Sequence, residues 1–194
     1  MPIKTGLYGG SFNPIHKGHV HLARQLLRTL HLDEVWFLVS PQNPLKVESD
    51  LAPEQVRLEL ARLALRRYKR LNASDYEFHL PRPSYTWNTL QALSKDYPDR
   101  EFILLIGGDN WLRFPKWYRH DDILKNYRIA IYPRTDNEID PDTLPPNVTM
   151  MNAETIDVSS TEIRQRLQEG RSVSGLVTTS VERVLLKEKV YRKK

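Results

Sequence analysis

Four short apolar runs recur along the chain, at residues 3–8, 35–39, 102–106 and 129–132. Each run is nearly continuous in its hydrophobic side chains, with little alternation between apolar and polar positions. Strands that are buried on both faces of a parallel sheet have this pattern, whereas strands with one solvated face alternate. The four runs therefore predict strands of a mainly parallel sheet.

Helical periodicity separates these runs. Apolar side chains at helical spacing predict one helix after residue 19 and a second that begins at Pro53. The two stripes are Val20, Ala23, Leu27 and Leu30 in the first helix, and Val56, Leu60, Leu63 and Ala64 in the second. Residues 86–95 and 121–125 continue the helical pattern, and residues 76–80 are expected to add a strand. The alternation of strands and helices predicts an α/β fold with a doubly wound, mainly parallel sheet.

Composition limits the classes of protein that fit this pattern. A chain of 194 residues with 40% hydrophobic and 27% charged residues is ordinary for one globular domain, which we place at residues 1–194. The net charge of +5 favours anionic ligands, but the basic residues are dispersed, which argues against a nucleic-acid partner. The absence of cysteine excludes disulfides and thiol chemistry, and it fits a cytoplasmic protein. The apolar runs are too short to span a bilayer, so we expect no membrane partner.

The segment from Gly9 to His19, with the sequence GGSFNPIHKGH, carries the most chemistry. It joins the first predicted strand to the first predicted helix, and glycines at such a junction let backbone N–H groups approach an anion closely. His16 and His19 are three residues apart, so both would face the same side of a helical first turn. Three interpretations fit: a tight turn with polar histidines, a metal site built on two imidazoles, and a phosphate site. Only the phosphate site uses the glycines, the helix start and the histidines together.

A second anion site is predicted near residue 160. Ser159 and Glu162 have the spacing of a capping box, which explains Ser159 as the residue that begins a helix. Capping does not explain why Ser160, Thr161 and Arg164 occur together. Hydroxyl and N–H groups at a helix start, with a guanidinium just beyond the first turn, would bind a second anion.

Three segments between these motifs allow both a structural and a functional interpretation. Ser84 and Thr86 are candidate helix caps, yet free N–H groups at Tyr85 and Thr86 would also receive a carboxylate. Asp109 follows a glycine pair at the end of a predicted strand, where it would cap a helix or accept hydrogen bonds from ribose hydroxyls. Trp117 belongs to an aromatic cluster that core packing explains, but an indole also stacks on flat heteroaromatic rings.

Both anion motifs resemble the signature of a known superfamily. The first is similar to G-x-F-x-P-x-H-x-G-H and the second to I-S-S-T-x-I-R, which together mark the nucleotidyltransferases that carry an HxGH motif. The intervening segments SYT at 84–86, IGGD at 106–109 and FPKWY at 114–118 resemble the nicotinate-nucleotide adenylyltransferase branch. The similarity extends through nearly the whole chain, and it implies a Rossmann-like nucleotidyltransferase fold with C-terminal helices.

The resemblance implies a role for each site residue. His16, His19 and Arg164 would be catalytic, so the two distant motifs are expected to meet around one triphosphate. The ATP-binding set would comprise Gly9, Gly10, Ser11, Phe12, Lys46, Gly107, Asp109, Arg134, Ser159, Ser160 and Thr161. The mononucleotide-binding set would comprise Asn13, Ser84, Tyr85, Thr86 and Trp117. Lys46 matches the position of the family's basic residue that approaches the ATP phosphates. The usual proline-proline-histidine-lysine sequence around that residue is not present here.

The implied reaction transfers AMP from ATP to nicotinate mononucleotide and gives nicotinate adenine dinucleotide and pyrophosphate. Mg²⁺ would accompany ATP, held mainly by phosphates and water rather than by a carboxylate cage. A homo-oligomer is compatible with this assignment. One alternative is a related transferase that acts on nicotinamide mononucleotide or on phosphopantetheine, and the latter would need neither Trp117 nor the helix start at 84–86. The other is a non-enzymatic basic protein that binds DNA or RNA with a steep salt dependence.

Overall fold

The computed structural model describes residues 1–41, 51–133, 139–154 and 156–191. Six parallel strands form one sheet in the order β3-β2-β1-β4-β5-β6. The strands are β1 (Ile3–Gly10), β2 (Glu34–Val39), β3 (Leu71–Ser74), β4 (Arg100–Gly107), β5 (Arg128–Tyr132) and β6 (Val148–Met150). The helices are α1 (Lys17–Thr29), α2 (Glu54–Leu65), α3 (Thr86–Asp96), α4 (Gly108–Trp111), α5 (His120–Asn126), α6 (Ser160–Gln168) and α7 (Thr179–Lys187).

Helices cover both faces of the sheet, which confirms the predicted doubly wound α/β class. One core joins the sheet to α1, α2, α6 and α7, with Phe37, Leu60 and Ile163 among its fully buried members. The other core joins the opposite face to α3 and α5 through residues such as Leu90 and Ile123. Burial on both faces accounts for the continuous apolar runs of β1, β2, β4 and β5, all four of which the pattern predicted.

The strand order reverses direction between β1 and β4, which are neighbours in the sheet but distant in sequence. In sheets of this kind, ligands bind in the crevice beyond the carboxyl ends of the strands at that reversal. β1 ends at Gly10 and β4 ends at Gly107, so both predicted glycine segments open into the same crevice. The topology therefore places the candidate site at this edge of the sheet.

Two parts of the secondary structure differ from the sequence prediction. The strand expected at residues 76–80 is a 3-10 helix, Tyr76–His79, in which Glu77 is buried and Phe78 is half-exposed. Its sequence alternates as that of a strand does, but Glu77 is the one buried residue of this helix and His79 is exposed. β3 and β6 were not predicted, because both are short edge strands with polar residues such as Asn72 and Thr149.

The buried face of α2 also differs from the predicted stripe. Leu60 and Ala64 are buried as expected, whereas Val56 and Leu63 are only partly buried. Arg57 takes a fully buried place on that helix, at 0% exposure. Within the described ranges, none of the helices is long and apolar enough to cross a membrane.

Candidate functional site

The glycine loop, residues 9–16, connects β1 to α1 at the reversal point of the sheet. Phe12 has a left-handed backbone (φ 45°), and its ring packs in the core against Tyr8 and Phe37, at centroid distances of 5.5 and 5.3 Å. The Phe12 ring therefore holds the loop against the core. A Cβ on Gly9 would meet nothing within 4 Å among the described residues, so the loop faces open space there. Any contact of Phe12 with a nucleotide would consequently come from its backbone.

The two histidines lie together at the start of α1. His16 is the N-cap residue and His19 is in the first turn, with their rings stacked at a centroid distance of 3.6 Å. The backbone N–H of His16 donates a hydrogen bond to Nδ1 of His19, at 3.2 Å. In a neutral imidazole the proton then sits on Nε2, which makes that atom of His19 a hydrogen-bond donor.

Gly18 is required by the packing of this histidine pair. A Cβ at this position would lie 3.0 Å from Nδ1 and 3.1 Å from Cε1 of the His16 ring. Such contacts are tighter than ordinary van der Waals distances, so a larger residue would displace the imidazole. Gly18 therefore allows the His16 ring to keep its position beside the first turn of α1.

The start of α6 contacts the glycine loop, as the two anion motifs predicted. The Ser160 hydroxyl donates to the carbonyl oxygen of Pro14 at 2.9 Å, and Arg164 Nη1 donates to that of Asn13 at 2.9 Å. A second guanidinium nitrogen of Arg164 lies 3.4 Å from the Thr161 hydroxyl. The two distant motifs therefore meet at residues 13 and 14 of the glycine loop, the segment that ends at His16.

Ser159 has the capping role that the spacing predicted. Its hydroxyl accepts a hydrogen bond from the backbone N–H of Glu162 at 3.1 Å. The Glu162 carboxylate pairs instead with Arg166, at 2.7 Å, so the second half of a capping box is replaced by an ion pair on the helix. The cap orients the first turn of α6 toward the glycine loop.

Asn13 connects the loop to three other parts of the chain. Its buried Oδ1 accepts hydrogen bonds from the backbone N–H of Ala52 at 3.1 Å and from the hydroxyl of Tyr191 at 2.7 Å. Its own carbonyl receives Arg164. The mononucleotide-binding role of Asn13 stays a prediction, and these contacts give its side chain a structural function.

A pocket extends from the glycine loop along the carboxyl edge of the sheet to α3. Its wall includes the following predicted site residues: Gly9, Gly10, Ser11, Ser84, Tyr85, Thr86 and Trp117. Leu7, Leu38 and Ile106 contribute an apolar floor from three strands. Apolar surface with a few polar groups is typical of sites for small organic ligands.

The N-terminus of α3 forms the far end of this pocket. Tyr85 is the N-cap residue, and none of the described side chains caps the helix, which corrects the expectation that Ser84 or Thr86 would do so. The first turn carries no acidic residue. Ser84 is buried, and its hydroxyl has no hydrogen-bond partner in the described part of the chain. Because buried hydroxyls are normally satisfied, this one is suited to a polar group of a ligand.

Aromatic side chains line the pocket beside α3. Trp117 is half-buried in the pocket wall and packs against the buried Phe114, at a centroid distance of 5.5 Å. Tyr85 and Tyr118 lie together at 4.9 Å, and Tyr118 is 50% exposed. Phe114 serves the core, and Trp117 is available to a flat ring in the pocket.

A buried carboxyl, Glu77, also belongs to the pocket wall. Thr89 donates a hydrogen bond to its Oε1 at 3.0 Å. Burial raises the pKa of Glu77 to about 7, and hydrogen bonds from Thr89 and Ser40 offset part of that rise. The α3 end of the pocket therefore holds a carboxyl group that is neutral for part of the physiological pH range.

The remaining predicted residues lie at the strand ends or outside the described ranges. Gly107 ends β4 and precedes α4, whose first turn contains Asp109. The N-cap of α4 is Gly107, so capping does not account for Asp109. Lys46 and Arg134 lie outside the described residues. Among the described residues, no group of three or more His, Cys, Asp or Glu side chains is arranged to hold a metal ion.

Sequence reasoning missed three residues that shape the site: Arg57, Glu77 and Tyr191. Apolar periodicity identifies buried positions only by their hydrophobic side chains, so it leaves out the first two. For Arg57 a signal was present, because it lies four positions before Ala61 and seven before Ala64 on the buried face of α2. No sequence signal connects Tyr191 to residue 13, because a long-range hydrogen bond leaves no periodic pattern.

Comparison with known proteins agrees with the geometry. The model of the cytidylyltransferase-like family matches residues 7–166. A probable nicotinate-nucleotide adenylyltransferase of Bacteroides thetaiotaomicron is 50% identical over 171 residues, which cover 88% of this chain and 85% of that protein. One of Cytophaga hutchinsonii with the same description is 40% identical, over 97% and 98% of the two chains. The Plasmodium falciparum nicotinic acid mononucleotide adenylyltransferase complexed with NaAD has the same fold, with a TM-score of 0.82 at 18% identity and 97% coverage of both chains.

Proposed function

The chain belongs to the cytidylyltransferase-like family and, within it, to the nicotinate-nucleotide adenylyltransferases, and on this premise we propose how its pocket performs that reaction. It transfers AMP from ATP to nicotinate mononucleotide and releases pyrophosphate. The observation that carries the assignment is the α3 end of the pocket. There, the uncapped N-terminus of α3 and the unsatisfied Ser84 hydroxyl lie in one wall with Trp117.

These groups match the two parts of nicotinate, which are a carboxylate and a pyridine ring. A helix N-terminus favours a negatively charged group, so the N–H groups of the first turn of α3 are suited to the carboxylate. Ser84 supplies one more polar group at the same place. Trp117 offers an aromatic face to the pyridine ring. Phosphopantetheine has neither a ring nor a carboxylate, so it would leave these features unused.

The glycine-loop end is suited to the triphosphate. A phosphate oxygen of the mononucleotide attacks the α-phosphorus of ATP, and the bond from that phosphorus to the bridging oxygen of pyrophosphate breaks. The attacking phosphate is already ionised near neutral pH, so the reaction requires alignment and charge stabilisation rather than a general base. His16 and His19, the latter through Nε2, would stabilise the α- and β-phosphates, and Arg164, Ser160 and Thr161 the departing pyrophosphate.

The magnesium ion enters as part of the substrate, the complex of Mg²⁺ with ATP. The described side chains at this end are imidazoles, hydroxyls and a guanidinium, which are suited to phosphate oxygens rather than to a hard cation. We therefore assign the metal to phosphate oxygens and water. Lys46 and Arg134 keep their predicted roles as additional phosphate-binding residues.

A pyrophosphate-release assay with a panel of acceptors tests the proposal. With MgATP present, nicotinate mononucleotide should give the highest kcat/KM, nicotinamide mononucleotide a lower one, and phosphopantetheine no turnover. A preference for the amide would contradict the assignment of the α3 end to a carboxylate. Binding to DNA or RNA with a steep salt dependence, without pyrophosphate release, would favour the non-enzymatic alternative.

A further inference from the structure

Arg57 is the one fully buried arginine among the described residues, and it lies behind the wall of the pocket. Its guanidinium donates hydrogen bonds to backbone carbonyl oxygens in three separate segments. The acceptors are Ser11 at 2.6 Å, Ser40 at 2.7 Å, Pro41 at 2.9 Å and Ala52 at 2.8 Å. Ser11 belongs to the glycine loop, the next two follow β2, and Ala52 precedes α2.

Two of these acceptors form the pocket wall. Ser11 and Ser40 both line the pocket, and the same nitrogen of Arg57, Nη1, is bonded to both carbonyls. The backbone N–H of Ser40 also donates to the carbonyl of Gly10 at 2.9 Å. The glycine loop and the segment after β2 are thus fixed to each other by a direct bond and by a shared guanidinium.

The chemistry of a guanidinium suits this task. Its donors are arranged in a rigid plane, so several carbonyls bonded to one group take fixed relative positions. The carbonyl of Ser11 points to Arg57, and in a trans peptide the N–H of the following residue then points the opposite way. Without that bond, the peptide after Ser11 would lose a constraint on its orientation. An orientation of this kind decides where backbone N–H groups meet an anion.

Arg57 is fully buried, so it acts through these loops rather than by contact with a substrate. We propose that Arg57 is a positioning residue for the transfer reaction, which holds the glycine loop and the segment after β2 at the spacing that aligns acceptor and triphosphate. This inference rests on the proposed function, because its kinetic test measures kcat of the AMP transfer. Misplacement of reacting groups by about 1 Å can cost on the order of 100-fold in rate, so small shifts of the loops are sufficient for a large effect.

The test compares Arg57→Lys with Arg100→Lys. Arg100 is also mostly buried, with its side chain 18% exposed, and it pairs with Glu34 and Asp99 at the start of β4, at the opposite edge of the sheet. Both substitutions keep the charge and remove the planar fork, so both are expected to lower the thermal midpoint. At a temperature where both variants are fully folded, we expect Arg57→Lys to lower kcat by about 10- to 100-fold and Arg100→Lys to change it less than about twofold. Wild-type kcat in folded Arg57→Lys would reduce Arg57 to a structural role and overturn the inference.

Two further arms keep the test decisive. If Arg57→Lys does not fold, because an ammonium replaces the guanidinium in a buried place, Arg57→Gln with Arg100→Gln as its control takes over the same comparison. If the wild-type protein releases no pyrophosphate from any acceptor, the proposed function fails, and calorimetric titration with MgATP then tests the inference alone. At least about fivefold weaker MgATP binding by the Arg57 variant, with the Arg100 variant unchanged, would support it, and equal affinities of both variants and the wild type would refute it.

Discussion

The glycine-loop end of the pocket receives hydrogen bonds from distant parts of the chain, whereas the α3 end is formed largely by one local segment and its aromatic neighbours. At the first end, α6 and Tyr191 converge on Asn13, and Arg57 bonds to Ser11 nearby. At the second, the hydroxyl of Ser84 has no hydrogen-bond partner among the described residues, and no described side chain caps the first turn of α3. Under the proposed function, the end that binds phosphates is held in place by the rest of the chain, whereas the end that binds the acceptor keeps polar groups available for it.

This difference predicts different kinetic effects at the two ends. Interactions that are stronger in the transition state than in the ground state change kcat, and uniform binding interactions change KM. We expect substitutions at the glycine-loop end to lower kcat and substitutions at the α3 end to raise KM for the mononucleotide. The following changes test this separation, from the largest expected effect to the smallest.

Removal of His19 should have the largest effect on catalysis. His19→Ala deletes the imidazole whose Nδ1 is held by the backbone of His16, and with it the donor at Nε2. Loss of one such preorganised donor costs about 2–4 kcal/mol of transition-state stabilisation. Steady-state kinetics should therefore give a much lower kcat with nearly unchanged circular dichroism. His21→Ala on the same helix is the control, and equal kcat values of the two variants would remove His19 from the catalytic set.

Replacement of the buried carboxyl at the α3 end should change how stability depends on pH. The pKa of Glu77 is raised to about 7 in the folded protein from an ordinary 4.5, so between these values the folded state holds more protons than the unfolded state. The free energy of unfolding contributed by this group falls as the pH rises through that window, by about 3 kcal/mol in total. In Glu77→Gln this term is absent.

Urea unfolding at pH 4.5 and pH 8 would measure the effect of Glu77. The stability of Glu77→Gln relative to the wild type should increase by about 3 kcal/mol between the two pH values. Glu59→Gln is the control, because Glu59 is exposed on α2. Parallel pH profiles of all three proteins would mean that folding does not raise the pKa of Glu77.

Loss of the aromatic face at the α3 end should weaken acceptor binding. Trp117→Leu keeps apolar volume in the pocket wall and removes the stacking surface. A base stacked on an aromatic side chain contributes about 1–3 kcal/mol, so KM for nicotinate mononucleotide should rise by the corresponding factor while kcat stays near wild type. Trp117→Phe should restore most of the affinity. A fall in kcat with unchanged KM would contradict the separation of roles between the two ends.

Removal of the Tyr191 hydroxyl should give the smallest of these effects. Tyr191→Phe deletes one hydrogen bond to Asn13 Oδ1, which costs about 1 kcal/mol of unfolding free energy. Tyr127→Phe deletes a hydroxyl that is bonded to Gln91 and Ser94, away from the pocket, and is the matched control. Chemical denaturation should give similar losses for both, but only Tyr191→Phe should also lower kcat. Identical kcat values would limit Tyr191 to a structural role.

The two ends also differ in how much of them could be predicted from the sequence. The contact between α6 and the glycine loop was predicted, because the family resemblance implies that the two motifs bind the same triphosphate. The placement of Ser84, Tyr85, Thr86 and Trp117 in one pocket wall agrees with the predicted set. Their roles toward a ligand stay predictions.

The features that could not be predicted from the sequence are the buried polar side chains. Arg57 is buried because four carbonyls bind its guanidinium, and Glu77 because two hydroxyls bind its carboxyl. Such partners come from distant segments, so hydropathy alone assigns these residues to the surface. The same limitation applies to residues 76–80, where the predicted strand is a 3-10 helix with Glu77 buried.

The hydrogen bonds on Asn13 have a consequence for biosynthesis of the protein. Residue 13 is synthesised before the groups that hold it, which come from residues 52, 164 and 191. A nascent chain that has not yet exposed residue 164 beyond the ribosome has the two histidines without the arginine, so under the proposed function it would bind a triphosphate incompletely. Activity should therefore arise only after synthesis has passed both late segments, and fragments that stop before them should be inert.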